Sequence, residues 1–152
     1  MRQLIIARKD LQMSPGKLAA QVSHASMAFL TAAIKKGGKA ERASLDDGEP
    51  NNYEVFFRMD KDTYEGWFCG LYTKTICEAR NKNQLLKAKM MAEDLGLIEE
   101  TDFFVIKDHC LTELEPEEID ENGDGWTVTA IGFRPLPDEL IQQISKKYHL
   151  YH

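Results

Sequence analysis

Apolar residues in this chain fall into short aliphatic blocks separated by stretches of helical spacing. Gln3–Ala7 is one such block and reads as a buried strand. Arg8–Met13 is polar and reads as a loop. Ser14-Pro15-Gly16-Lys17 reads as a helix start, because Ser14 can cap and proline suits the first helical position. The helix is expected to run to about Lys36 and to stop at Gly37-Gly38. Leu18, Val22, Ala25 and Phe29 recur at helical spacing and should face the core. Lys17, Gln21 and His24 line a neighbouring polar stripe that begins at the helix N-terminus.

Further along, residues 37–52 lack periodicity and read as a flexible connection. Tyr53–Met59 reads either as a strand or as the lead into a short helix, and Asp60–Trp67 reads as that helix. Lys74–Ala79 reads as a strand. Asn81 to Leu95 reads as a helix with Leu85, Leu86, Ala88, Met91 and Leu95 as its apolar set, stopped by Gly96. Asp102–Lys107 is a strand, Glu113–Gly125 a very acidic loop, Trp126–Gly132 a strand. A last helix opens at Pro137-Asp138 and runs to about Tyr148. Alternation of strands and helices predicts an α/β class protein. The two strands flanking the acidic loop have no helix between them, which favours an antiparallel pair. The expected fold is a single domain over 1–152 with a mixed sheet of about four strands and helices on both faces. A variable connection is expected at about 37–66.

Charge alters this picture in one respect. The net charge is −6, against a generic nucleic-acid binder. Yet residues 1–42 carry eight Lys or Arg against two acids, and the remainder carries eleven against twenty-three. Arg8, Lys9, Lys35, Lys36 and Lys39 could therefore build one basic face, or the asymmetry could be an accident of chain order. The three cysteines form no Cys-x-x-Cys pair, so zinc and thioredoxin-like chemistry are unsupported. A reducing cytoplasm is the simplest compartment, and no signal-peptide or membrane-spanning pattern is present.

Three places could carry chemistry. Lys17 adds a full positive charge to a helix N-terminus that follows a strand, a position that favours anions. Glycine spacing of a phosphate-binding loop is missing there, and a first-turn lysine can also be merely solvated. Asp108 follows a predicted strand and Thr112 stands four residues on. Were that strand parallel to Gln3–Ala7, Asp108 would stand near Lys17 and hold it charged, and Thr112 could position a water or a carbonyl. The bland reading is an Asx-turn with a capping threonine. His24 is either catalytic or a half-buried helix histidine. Asp120-x-Asn122-x-Asp124-Gly125 matches the opening of a calcium loop, but the twelfth position is Ile131, so an acidic turn is preferred.

Taken together, these residues resemble a known family. Gly16-Lys17-Leu18-Ala19-Ala20-Gln21-Val22-Ser23-His24-Ala25 is similar to the G-K-x-A-A-Q-x-S-H-A signature of second-class peptidyl-tRNA hydrolases. Asp108-x-x-x-Thr112 resembles the family's D-x-G-x-T turn, with His109-Cys110 in place of the small pair. Thr127–Gly132 resembles its T-V-x-A-I-G strand. The resemblance implies metal- and cofactor-independent hydrolysis of the ester between peptide and tRNA. It also implies a cytoplasmic role in translation and ribosome rescue, and often a homodimer. Lys17, Asp108 and Thr112 would be catalytic or water-positioning, and Gln21 and His24 supporting. The general base is left between Asp108 and His24. Two competing readings are a non-catalytic tRNA- or protein-binding module on the same fold and a hydrolase of another acyl ester.

Overall fold

The computed structural model describes residues 1–37, 39–42 and 53–152. In chain order the elements are β1 (Gln3–Arg8), α1 (Pro15–Gly37), β2 (Lys39–Arg42), β3 (Tyr53–Phe56) and α2 (Lys61–Thr63), which runs on as one π-helical turn at Tyr64–Phe68. They continue as β4 (Lys74–Ala79), α3 (Lys82–Asp94), β5 (Phe103–Asp108), β6 (Glu118–Ile119), β7 (Gly125–Phe133), α4 (Asp138–Ser145) and β8 (His149–Leu150). The main sheet has the order β5-β7-β1-β4-β8, with β6 paired to the start of β7. Its four long strands are those expected, and the two-residue strands β6 and β8 extend it. β1 and β4 are parallel, while β7 is antiparallel to both β1 and β5. Two successive reversals make β5 parallel to β1. The carboxyl ends of β1, β4 and β5 therefore share one edge of the sheet, where ligands of open α/β sheets gather.

The alternation of side chains along β1 divides the core. Ile5 and Ala7 pack with Ala25 and Ala130 beneath α1. Leu4 and Ile6 pack on the other face with Leu85 and Ala88 of α3 and Ile141 and Ile144 of α4. Both faces of β1 are buried along its whole length, which is why it reads as an unbroken apolar run. Gln3 and Arg8, at its two ends, are the polar exceptions: Gln3 is wholly buried, and its amide donates to Ser26 O at 2.8 Å and accepts from Ser26 Oγ at 3.0 Å.

Some boundaries differ from expectation. The last helix ends at Ser145, short of Tyr148. Tyr148 is buried, and its hydroxyl donates to Gln84 O of α3 at 2.9 Å, so the chain turns inward and lays β8 against β4. The acidic stretch contains β6, whose hairpin with β7 closes through Asp120: one carboxylate oxygen accepts the Asn122 and Asp124 N–H groups at 2.8 and 3.0 Å. This is the acidic turn, with Asp120 occupied by backbone. Within the expected 37–52 connection, Lys39–Arg42 pairs antiparallel with β3, and residues 38 and 43–52 lie outside the described residues. Tyr53–Phe56 is a strand, which decides that alternative. Asn81 caps α3 through Gln84 N–H, and Gly96 ends it at φ +79°.

Candidate active site

The site forms where the N-terminus of α1 meets the carboxyl end of β5. Ser14 caps α1, its hydroxyl oxygen accepting the Lys17 N–H at 3.3 Å. The Glu113 carboxylate then accepts the Ser14 N–H at 2.5 Å and its O–H at 2.6 Å. These bonds hold Glu113 below the usual glutamate range. They also tie the turn after β5 to the start of α1, so the two halves of the site are joined directly.

Lys17 turns its ammonium inward. Nζ lies 2.7 Å from Asp108 Oδ2 and donates to Thr112 Oγ1 at 3.1 Å. Gln21, one helical turn on and buried, donates its amide to the same Asp108 Oδ2 at 2.7 Å. The other oxygen, Oδ1, accepts the Cys110 N–H at 2.9 Å. Burial pushes the Asp108 carboxyl up, but the bonds from Lys17, Cys110 and Gln21 outweigh it and hold the group below its ordinary value. The Asx-turn reading of this segment and the ion-pair reading are both realised, one on each oxygen of Asp108.

The turn keeps its shape without a glycine. Cys110 stands at φ +56°, a left-handed conformation that costs a side-chain-bearing residue about 1 kcal/mol. The hydrogen bond to Asp108 Oδ1 offsets that cost locally.

A β-bulge supplies the floor. Ile106 pairs with Ala130, and Lys107 pairs with Val128, so Thr129 is the extra residue on β7. The bulge turns Thr129 toward α1, where its hydroxyl donates to Gln21 Oε1 at 2.6 Å. The chain Thr129–Gln21–Asp108–Lys17–Thr112 is thus continuous, running from a fully buried threonine to the surface. Above it lies a cleft of about 270 Å³ lined by Lys17, Gln21, His24, Asp108, His109 and Thr112, with the exposed Leu111 at its rim.

A family model described as Peptidyl-tRNA hydrolase PTH2 matches residues 1–151. The chain belongs to that family. A Peptidyl-tRNA hydrolase of Methanopyrus kandleri is 32% identical over 145 residues, covering 95% of this chain and 92% of that protein. One from Haloquadratum walsbyi is 31% identical over 151 residues, 99% and 100% of the two chains. One from Thermoplasma acidophilum is 26% identical over 149 residues, 98% and 97%.

Within this hydrolase-family scaffold, the five residues of the signature helix and the aspartate turn converge on one cleft. The basic residues expected to form a tRNA face do not converge. Arg8 is a correction: its guanidinium is buried, bonded to Asp10 at 2.7 Å, to Glu117 at 2.6 Å and to Val128 O at 3.0 Å, and has no face left for a phosphate. Lys9 bridges Glu78 at 2.6 Å and donates to His152 O. Lys35 and Lys36 lie at the far end of α1, about 27 Å along the helix from Lys17. Lys36 donates to Glu100 O there. The side chain of Lys39 lies outside the described residues.

Sequence reasoning missed Thr129 and Glu113. Thr129 stood in plain view as the one polar residue in Val128–Ala130–Ile131, but a bulge leaves no mark on hydrophobic alternation. Glu113 looked like one acid among many in its loop. Among the described residues no helix is long and apolar enough to cross a membrane, and no three His, Cys, Asp or Glu side chains group to hold a metal ion.

Proposed function

We infer that this chain hydrolyses the ester joining a peptide's terminal carboxyl to the ribose of tRNA, with Lys17, Asp108 and Thr112 as its catalytic group. The observation that carries the reading is the Lys17 ammonium held between Asp108 and Thr112 at an open cleft, in a member of this family.

Water adds to the ester carbonyl, whose oxygen becomes negative. The carbon–oxygen bond to the ribose then breaks, and the ribose oxygen takes a proton. Lys17 places a fixed positive charge beside the developing oxyanion. Asp108 keeps that ammonium charged and aimed. Thr112 accepts from Lys17, so its own O–H is left to donate to the carbonyl oxygen or the incoming water. Asp108 is a weak base, because three donors satisfy its charge and hold its proton affinity down. We assign proton removal from water to His24, an imidazole exposed in the same cleft. Gln21 and Thr129 position Asp108. With Lys17 supplying the cation, no step calls for a metal or a cofactor. The His109-Cys110 departure from the family's turn does not favour the non-catalytic alternative, since Cys110 adopts the backbone conformation a glycine would. A homodimer and a cytoplasmic role in translation and ribosome rescue belong to the same reading and rest on family resemblance.

The test is turnover of peptidyl-tRNA by the purified chain in excess chelator, with tRNA kept folded by monovalent salt and polyamine. Release of free tRNA by the wild type and not by Lys17→Ala is expected. Loss of activity in chelator that a divalent ion restores would count against the scheme. Tight tRNA binding without turnover in any condition would overturn the assignment.

A further inference from the structure

A cleft larger than the one above Lys17 lies on the other face of the sheet. It measures about 530 Å³ and lies between α3 and the end of α4, with Arg80, Lys87, Lys147 and Asn83 at its rim. All four are exposed, and among the described residues none of the three cations has a carboxylate partner. In a chain of net charge −6, a cleft lined by cations and amides with no carboxylate is a directed feature. The α3 N-terminus itself is closed: Asn81 caps it, and Gln84 Oε1 accepts the Arg80 N–H at 2.6 Å. The free groups are therefore the three cations and the Asn83 amide.

Resting on the hydrolase reading above, we propose that this cleft binds the sugar-phosphate backbone of the tRNA while its acylated end lies over Lys17. Arg80 follows β4 at the same sheet edge that bears Asp108 at the end of β5. Three strand spacings separate them, about 14 Å. A small acyl ester cannot reach across that distance, whereas a nucleic acid can. The two clefts lie on opposite faces of the sheet, so the RNA would straddle the edge. The acids between them are neutralised in place: Arg8 pairs with Asp10 and Glu117, Lys9 with Glu78, and Lys82 with Glu118. Cations and amides on phosphate and ribose carry no base sequence, which suits an enzyme acting on tRNAs of many sequences.

The test uses the triple variants Arg80→Glu/Lys87→Glu/Lys147→Glu and Arg80→Gln/Lys87→Gln/Lys147→Gln. Uncharged tRNA binding is measured across a salt series, together with turnover of peptidyl-tRNA and of a peptidyl ester of the CCA trinucleotide. The variants are expected to raise KM for peptidyl-tRNA about tenfold or more and to lower the log affinity–log salt slope by about 2 to 3. They should leave kcat and trinucleotide turnover unchanged. Unchanged tRNA binding by variants with wild-type circular dichroism would overturn the proposal, as would an equal fall in trinucleotide turnover. A wild type that binds tRNA through this cleft but cleaves neither substrate would retain the cleft and reject the hydrolase reading.

Discussion

Lys17 occupies the first turn of α1, where its charge opposes the helix dipole. Asp108, 2.7 Å away, compensates it and holds the ammonium at the cleft. If that charge acts on the oxyanion, Lys17→Ala lowers kcat about 100-fold or more with little change in KM. Asp108→Asn should lower kcat with the fold intact, and the double variant should be little worse than the worse single one, because the pair acts as a unit. Additive losses would show that the two work independently. The pH profile separates Asp108 from the base. Burial tends to raise its proton affinity, but the bonds from Lys17, Cys110 and Gln21 win and set it below the usual 3.8. A depressed carboxyl is charged at every pH above its usual value and loses its contribution only as pH falls through the lower, folded value. Any fall in kcat/KM between about pH 7 and pH 5 must therefore come from another group. His24→Asn is expected to lower kcat about 100-fold with little change in KM; wild-type kcat in the variant would dismiss His24 as the base.

At the scale of elements, the site depends on how closely α1 lies on β7. A Cβ added at Gly132 would meet the Ala25 carbonyl oxygen at 2.2 Å and its carbon at 2.7 Å. The obstacle is helix backbone, which cannot rotate aside. Gly132→Ala should cost about 3 kcal/mol in denaturant unfolding. It should also reduce turnover in the fraction that folds, because the displaced helix carries Lys17 and Gln21 while Asp108 and Thr129 stay with the sheet. Wild-type stability and rate in this variant would mean that the helix seat is loose. The bulge at Thr129 works in the opposite sense, bringing a hydroxyl up to Gln21 without moving the helix.

Across the whole molecule, acidic and basic residues are sorted by pairing more than by position along the chain. Arg8 joins the exit of β1 to the strand-bearing acidic loop through Glu117, and its bonds hold Glu117 below the usual 4.5. Arg8→Met should destabilise by about 2–4 kcal/mol at neutral pH, since it leaves the Val128 carbonyl and Asp10 without their donor and Glu117 with Lys82 alone, at 3.7 Å. The sign of the pH dependence follows from the depressed carboxyl. Its stabilisation is present above the usual glutamate value and is lost as pH falls through the folded one. The gap between wild type and variant, measured by urea unfolding, should therefore shrink from pH 7 to about pH 3. A gap independent of pH would assign Arg8 a packing role only.

The sequence by itself determined β1, α1, β4, α3, β5 and β7 to within a residue or two, because apolar spacing and caps are local. Ser14 before Pro15, Asn81 before Lys82 and Gly96 after Leu95 mark ends that hydrogen bonding and backbone angle enforce on the spot. It also determined which polar residues belong together, since Lys17, Gln21 and His24 share a helix stripe and Asp108 and Thr112 share a turn. The tertiary structure alone decided the rest. The parallel run of β5 and β1, reached through β7, brings Asp108 to Lys17. The register shift selects Thr129, and the fate of Arg8 depends on one carboxylate, Glu117, over a hundred residues away. Arg80, Lys87 and Lys147 meet only because Tyr148 folds the chain's end back onto α3. Burial periodicity records which way a side chain points from its own element. The partner it meets there is set by long-range register, which no local window contains.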